Sequence, residues 1–224
     1  MNILLTIAVT FFAGMGAGLG TGFAGMSAAA VISPMLITFL KMDPYMAVGI
    51  ALSSDVLASA VSAYIYGKNK NLDIKNGIMM ISVLTFTVVG SYIASLLPAA
   101  TMGSFSVFMT FLLGIKFIVR PVMTTKEAMQ GVSAKKRAIQ SVVCGIMIGL
   151  ICGFVGAGGG MMMLLILTSV LGYELKTAVG TSVFIMAFTA FTGAVSHFMI
   201  VGAPDWTVFI LCVVFTLIWA RIAA

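Results

Sequence analysis

Charge is scarce in this chain. Of 224 residues only 8% are Asp, Glu, Lys or Arg, where an ordinary soluble domain carries about 25%, so a water-solvated surface of normal composition is excluded. Histidine occurs once, at His197, which excludes a histidine-built metal centre. Cys144, Cys152 and Cys212 lie in apolar segments without a CxxC pair, and this excludes a disulfide framework and leaves buried packing thiols. Twelve Lys and Arg against six acids give a net charge of +6. They form no aromatic-interleaved patch, so nucleic acid is not the expected partner.

What is present is apolar: 61% of the residues are hydrophobic and the mean hydropathy is +1.19. The chain reads as an integral membrane protein. A membrane strand would alternate apolar with polar residues, whereas these runs are continuous and of helical length, so the expected fold is all-α and polytopic. The N-terminal run has no basic residue before it and outlasts a signal h-region of about 7–15 residues, so it is read as a retained helix.

Glycine supplies the organisation. Gly14, Gly18, Gly22, Phe23 and Gly25 return as Gly145, Gly149, Gly153, Phe154 and Gly156, and Ala47, Val48 and Gly49 return as Ala178, Val179 and Gly180, always 131 positions later. Two homologous repeats are expected: one over about residues 1–120, a second over about 139–224, with a basic linker over about 121–138. Residues 3–40 would measure about 57 Å as one straight helix, too long for a core of about 30 Å, so the run must break. The glycines Gly20, Gly22 and Gly25 mark the expected break. Further apolar runs cover Tyr45 to Tyr66, Gly77 to Leu97 and Gly103 to Val119. In the second copy, residues 139–171 hold a break at Gly153, Gly156, Gly158, Gly159 and Gly160, and helices follow over 177–200 and 206–220. The counterpart of 103–119 would lie near 234–250, so a fragment lacking the last helix of repeat two is expected.

Lys68, Lys70 and Lys75 form one basic linker, and Arg120, Lys126, Lys135, Lys136 and Arg137 the other. Both are expected in the cytoplasm. The second copy's equivalent of the first linker, Val201 to Asp205, has no Lys or Arg, which favours an inverted repeat over a parallel one.

Gly20, Gly22, Gly25 and the later Asp43 spell a dinucleotide fingerprint on paper, but that motif needs a soluble βαβ unit. A broken membrane helix fits instead. Irregular backbone at membrane depth survives only inside protein or beside a watered cavity, and the helix after each break offers unpaired N–H groups to an anion. The candidate donors are the backbone of Gly156, Gly158, Gly159 and Gly160 and the hydroxyls of Ser27, Ser53, Ser54, Thr181 and Ser182. The competing readings are close helix packing for the glycines, especially the stripes Gly14, Gly18, Gly22 and Gly145, Gly149, Gly153, and back-bonding to helix carbonyls for the hydroxyls. Asp55, at the centre of its apolar run, and His197 are the candidate proton-coupling groups, with Met186 and Tyr66 as their counterparts. Asp43 and Glu174, beside Lys41 and Lys176, suggest loop ion pairs at helix starts. No cofactor or metal is implied. Lys116 is expected to snorkel to the interface.

The segments GLICGFVGAGGGMMMLLIL (149–167), TAVGTSVFIMAFTAFTGAVSHFMIVG (177–202), GLGTGFAGMSAAAVISPML (18–36) and AVGIALSSDVLASAVSAYIYG (47–67) resemble the sulfite exporter TauE/SafE family over nearly the whole chain. The resemblance implies a permease of the prokaryotic plasma membrane for sulfite, sulfonates or related organic anions. The first copy departs from the family's glycine-rich element, with Met26, Ser27 and Ala28 where the second has Ala157, Gly158 and Gly159. Two rival classes are a membrane enzyme, thinly supported by Asp55 alone, and a non-transporting component assembling through its glycine faces.

Overall fold

The computed structural model describes residues 3–73, 77–98, 108, 111, 115, 119, 134–155, 159–169 and 173–224. Most of the expected helix at 103–119, the linker through residue 133, Lys116, Gly156 and Gly158 lie outside them. Among the described residues eight helices run in the order α1 (Ile3–Ala24), α2 (Ala29–Leu40), α3 (Pro44–Lys68), α4 (Gly77–Ser95), α5 (Ala134–Val155), α6 (Gly159–Ser169), α7 (Leu175–Val201) and α8 (Trp206–Ala223). Four of them, α1, α3, α7 and α8, are long and apolar enough to cross a membrane. Large apolar side chains such as Leu4, Phe23, Tyr64 and Met199 are exposed on the outer faces, as a lipid solvent permits.

Helix ends follow local chemistry. Asp43, expected in a loop ion pair, is the N-cap of α3: its carboxylate accepts from the Tyr45 and Met46 amides at 3.0 Å each, and Pro44 fills the first helical position. Asp205 caps α8 in the same way, on Thr207 and Val208. Helix α5 begins at Ala134, five residues before the expected start at 139, so Lys135, Lys136 and Arg137 belong to a helix rather than to the linker.

The first break differs from expectation in position. Gly20 and Gly22 remain helical, and only Gly25 turns, with a left-handed φ of +61°. The Gly25 amide donates to the Thr21 carbonyl, closing α1 in an αL turn, and the Met26 amide donates to the Gly20 carbonyl. Gly22 serves packing instead: a Cβ there would lie 2.5 Å from that of Ala223 on α8. In the second copy Gly153 likewise stays inside α5, where a Cβ would strike the Thr87 carbonyl of α4. A helix tolerates glycine when a neighbouring backbone fills the space that a side chain would take.

Contact register gives the directions. Gly14, Gly18 and Gly22 meet Phe215, Trp219 and Ala223 in turn, so α1 and α8 are parallel, and α5 runs parallel to α4 through Gly149 on Phe86 and Gly153 on Ser91. Helix α2 folds back along α1, with Gly16 near Val31 and Gly20 near Met26. Helices α3 and α7 form the central pair and are antiparallel: Gly49 meets Phe198, Leu52 meets Gly193, and Tyr66 meets Gly180. The main core lies where α1, α2, α3, α7 and α8 converge, on Ile32, Leu36, Ile50, Leu52 and Cys212.

Candidate functional site

The first break and the start of α6 abut the central pair. Ser27, in the break before α2, is buried, and its hydroxyl donates to Asp55 Oδ2 on α3 at 2.6 Å. Ser59, one turn further along α3, donates to Asp55 Oδ1 at 2.9 Å, and the Ala28 amide lies beside the carboxylate. Asp55 is fully buried at the middle of α3. Helix α2 has no capping side chain of its own, so this carboxylate caps its N-terminus from another helix.

The start of α6 reaches the first break. A Cβ on Gly160, in the first turn of α6, would lie 2.6 Å from the Gly25 carbonyl, 2.7 Å from the Ser27 amide and 2.5 Å from Met186 Sδ. A Cβ on Gly25 would lie 2.7 Å from Ser182 Oγ. Gly25, Ser27, Gly160, Ser182 and Met186 thus share one neighbourhood, joined to Asp55 through Ser27. Gly159 begins α6 beside them in sequence, while Gly156 and Gly158 fall outside the described residues.

The remaining hydroxyls are held elsewhere. Ser53 donates to the Gly49 carbonyl, Ser54 to Ile50 and Ser182 to Val179, which is the back-bonding alternative for all three. Thr181 accepts the Asp73 amide at 3.1 Å and so ties the loop after α3 to the start of α7. His197 is fully buried and stacks on Tyr45 with ring centroids 4.0 Å apart, so it is no exposed interfacial cap. Its Nδ1 lies 3.3 Å from the Tyr45 carbonyl oxygen and its Nε2 3.2 Å from that of Gly153. The Tyr45 hydroxyl donates to the Ser91 carbonyl, and Ser91 Oγ donates to Gly153, so α3, α4, α5 and α7 close one polar ring.

Three residues escaped sequence reasoning. Ser59, Ser62 and Tyr66 continue from Asp55 at helical spacing along one face of α3. Tyr66 donates to the Gly22 carbonyl at 3.1 Å, near the end of α1, and the buried Ser62 hydroxyl has no partner among the described residues. A polar stripe of period 3.6 inside an apolar helix was the signal that could have found them.

Two apolar clefts flank the α3–α7 pair. One, of about 600 Å³, runs between Val56, Leu57, Phe191 and Trp206. The other, of about 640 Å³, runs between Ala60, Tyr64, Ala187 and Phe188. Among the candidate residues only Ser53 lines either. Among the described residues no group of three His, Cys, Asp or Glu could hold a metal ion.

A family model described as "Sulfite exporter TauE/SafE" matches residues 10–224. The chain belongs to this family. Two Bacillus subtilis (strain 168) proteins are similar to it. YunE, described as a probable membrane transporter protein, is 26% identical over 203 residues, covering 84% of this chain and 74% of its own. YdhB, described in the same words, is 24% identical over 211 residues, covering 92% and 84%. No solved structure matches the chain. This TauE/SafE member is therefore a multi-pass protein of a membrane transporter family.

Proposed function

We propose that this TauE/SafE protein is a secondary permease of the prokaryotic plasma membrane, moving a small anion of the sulfite, sulfonate or organosulfur class without chemical change. The observation that carries the reading is the meeting of the first helix break, at Gly25 and Ser27, with the start of α6, at Gly160, against the middle of the central helices. Backbone amides there face protein rather than lipid, and an anion needs only such donors. Lipid is the solvent of the outer faces, and the anion the partner of the inner ones.

Alternating access follows from a pair of inverted repeats. Helix α1 starts and ends 131 positions before α5, and α3 starts 131 before α7. The packing repeats as well: α1 on α8 matches α5 on α4, and the bond of Tyr66 to Gly22 matches the contact of His197 with Gly153. The antiparallel register of α3 and α7 supports inversion, because equivalent helices in parallel repeats would run the same way. The two clefts correspond too, Ala60 and Tyr64 pairing with Phe191 and Val195. A small rocking of one half against the other would open them in turn.

Asp55 and His197 divide the coupling role in this reading. The neutral imidazole donates to one of its two carbonyl neighbours, and the imidazolium donates to both, so His197 is the group that takes and releases a proton. Asp55 already accepts two hydroxyl donors, one on each oxygen, an arrangement that suits a carboxylate.

Uptake of labelled sulfite, sulfonate and carboxylate into proteoliposomes, with and without a proton gradient, tests the proposal. Saturable movement of a sulfur anion is expected. A correctly inserted protein that moved no member of a broad anion panel would defeat it.

A further inference from the structure

We infer that Asp55 is a built-in anion: from α3 its carboxylate fills the donor site at the start of α2, closing the first break to any diffusing anion and leaving the start of α6 for the transported one. This deepens the permease reading and rests on it for the transported anion alone. Three observations carry it. Both carboxylate oxygens are engaged, Oδ2 by Ser27 and Oδ1 by Ser59, with the Ala28 amide beside them. All three side chains are buried, and α2 has no other capping side chain.

The third observation is the asymmetry of the halves. The positions equivalent to Ser27, Asp55 and Ser59 are Gly158, Met186 and Ala190, so the second half lacks every side chain of the clasp. Met186 brings a neutral thioether to Gly160 where Asp55 brings a charge to Ser27. A second anion on the first break would meet that charge across a distance of hydrogen-bond length in a poorly screened interior, which is strongly repulsive. One half of the duplicated site is thereby permanently occupied, and the permease carries one anion at a time.

Chemical rescue tests this without any transport assay. Purified full-length Asp55→Ala is titrated with sodium formate against sodium chloride at equal ionic strength, and its thermal unfolding midpoint is followed. A saturable rise of several degrees is expected, as mass action requires of a ligand held only by the folded state. Wild type and Asp55→Asn, whose clasp is filled, should show none. If Asp55→Ala folds only when formate is present from growth onward, the inference stands equally. An Asp55→Ala protein no more responsive to formate than wild type, or never recovered with formate while Asp55→Asn folds, overturns it. In proteoliposomes Met186→Asp should fill the second site and abolish uptake with the midpoint retained; undiminished uptake overturns the one-site claim. If no anion moves in wild type, the permease reading fails while the formate result stands.

Discussion

Replacing Gly18 by Ala separates the two roles that glycine plays in α1. A Cβ at position 18 would lie 2.5 Å from the Thr216 carbonyl oxygen and 2.7 Å from both the Ala220 amide and Trp219 Cβ, so α8 backbone stands in its way. Backbone cannot rotate aside, and ordinary carbon contact needs about 3.5–4.0 Å. The helices must move apart by about 1 Å, which forfeits a quarter to a half of the dispersion attraction at the contacts affected. Overpacking of this kind costs about 1–3 kcal/mol, offset by about 1 kcal/mol of improved helix propensity, for a net loss of up to about 2 kcal/mol. At Gly20, two residues on, the new Cβ would meet only the flexible Met26 side chain, beginning at 3.4 Å. Gly20→Ala should therefore stabilise by up to about 1 kcal/mol. Denaturant or thermal unfolding in detergent would read the difference of about 1–3 kcal/mol between the variants, and both should keep the turn at Gly25. A Gly18→Ala protein as stable as Gly20→Ala would refute the packing account and return Gly20 to the break.

Three other expectations are more local. Tyr66→Phe removes the donor to the Gly22 carbonyl and should lower stability by about 0.5–1.5 kcal/mol, with faster amide exchange in the last turn of α1. Thr181→Val should loosen the loop after α3, read as faster exchange of the Asp73 amide, while uptake persists; loss of uptake with an unchanged loop would restore Thr181 to the anion site. With the native cysteines replaced by Ala, Asn69→Cys should react with an impermeant maleimide only from the cytoplasmic side and Ala203→Cys only from the other. Reaction of both from one side would contradict the inverted arrangement.

Much of the fold was legible because membrane helices are written in long apolar runs. The ends of α3, α4, α7 and α8 fall within a few residues of the runs that announced them. The first break was misplaced by a few residues because composition marks every glycine alike. Gly20 and Gly22 cannot be distinguished from Gly25 until a neighbour is known, and for Gly22 that neighbour is α8, some 200 positions along the chain. Asp43 reads equally well as an ion-pair partner or a cap until the amides of Tyr45 and Met46 are seen to converge on it.

The linear order of residues determined the solvent, the helical class, the duplication signal and the buried acid, since each depends on composition, period or spacing. Tertiary structure alone decided what the acid does. Ser27 and Asp55 are 28 positions apart, and Gly25 and Gly160 more than 130, so their contacts exist only once α3 and α7 cross. A hydroxyl or carboxylate in an apolar helix is ambiguous until its hydrogen-bond partner is known, and in this chain the partners that matter come from other helices.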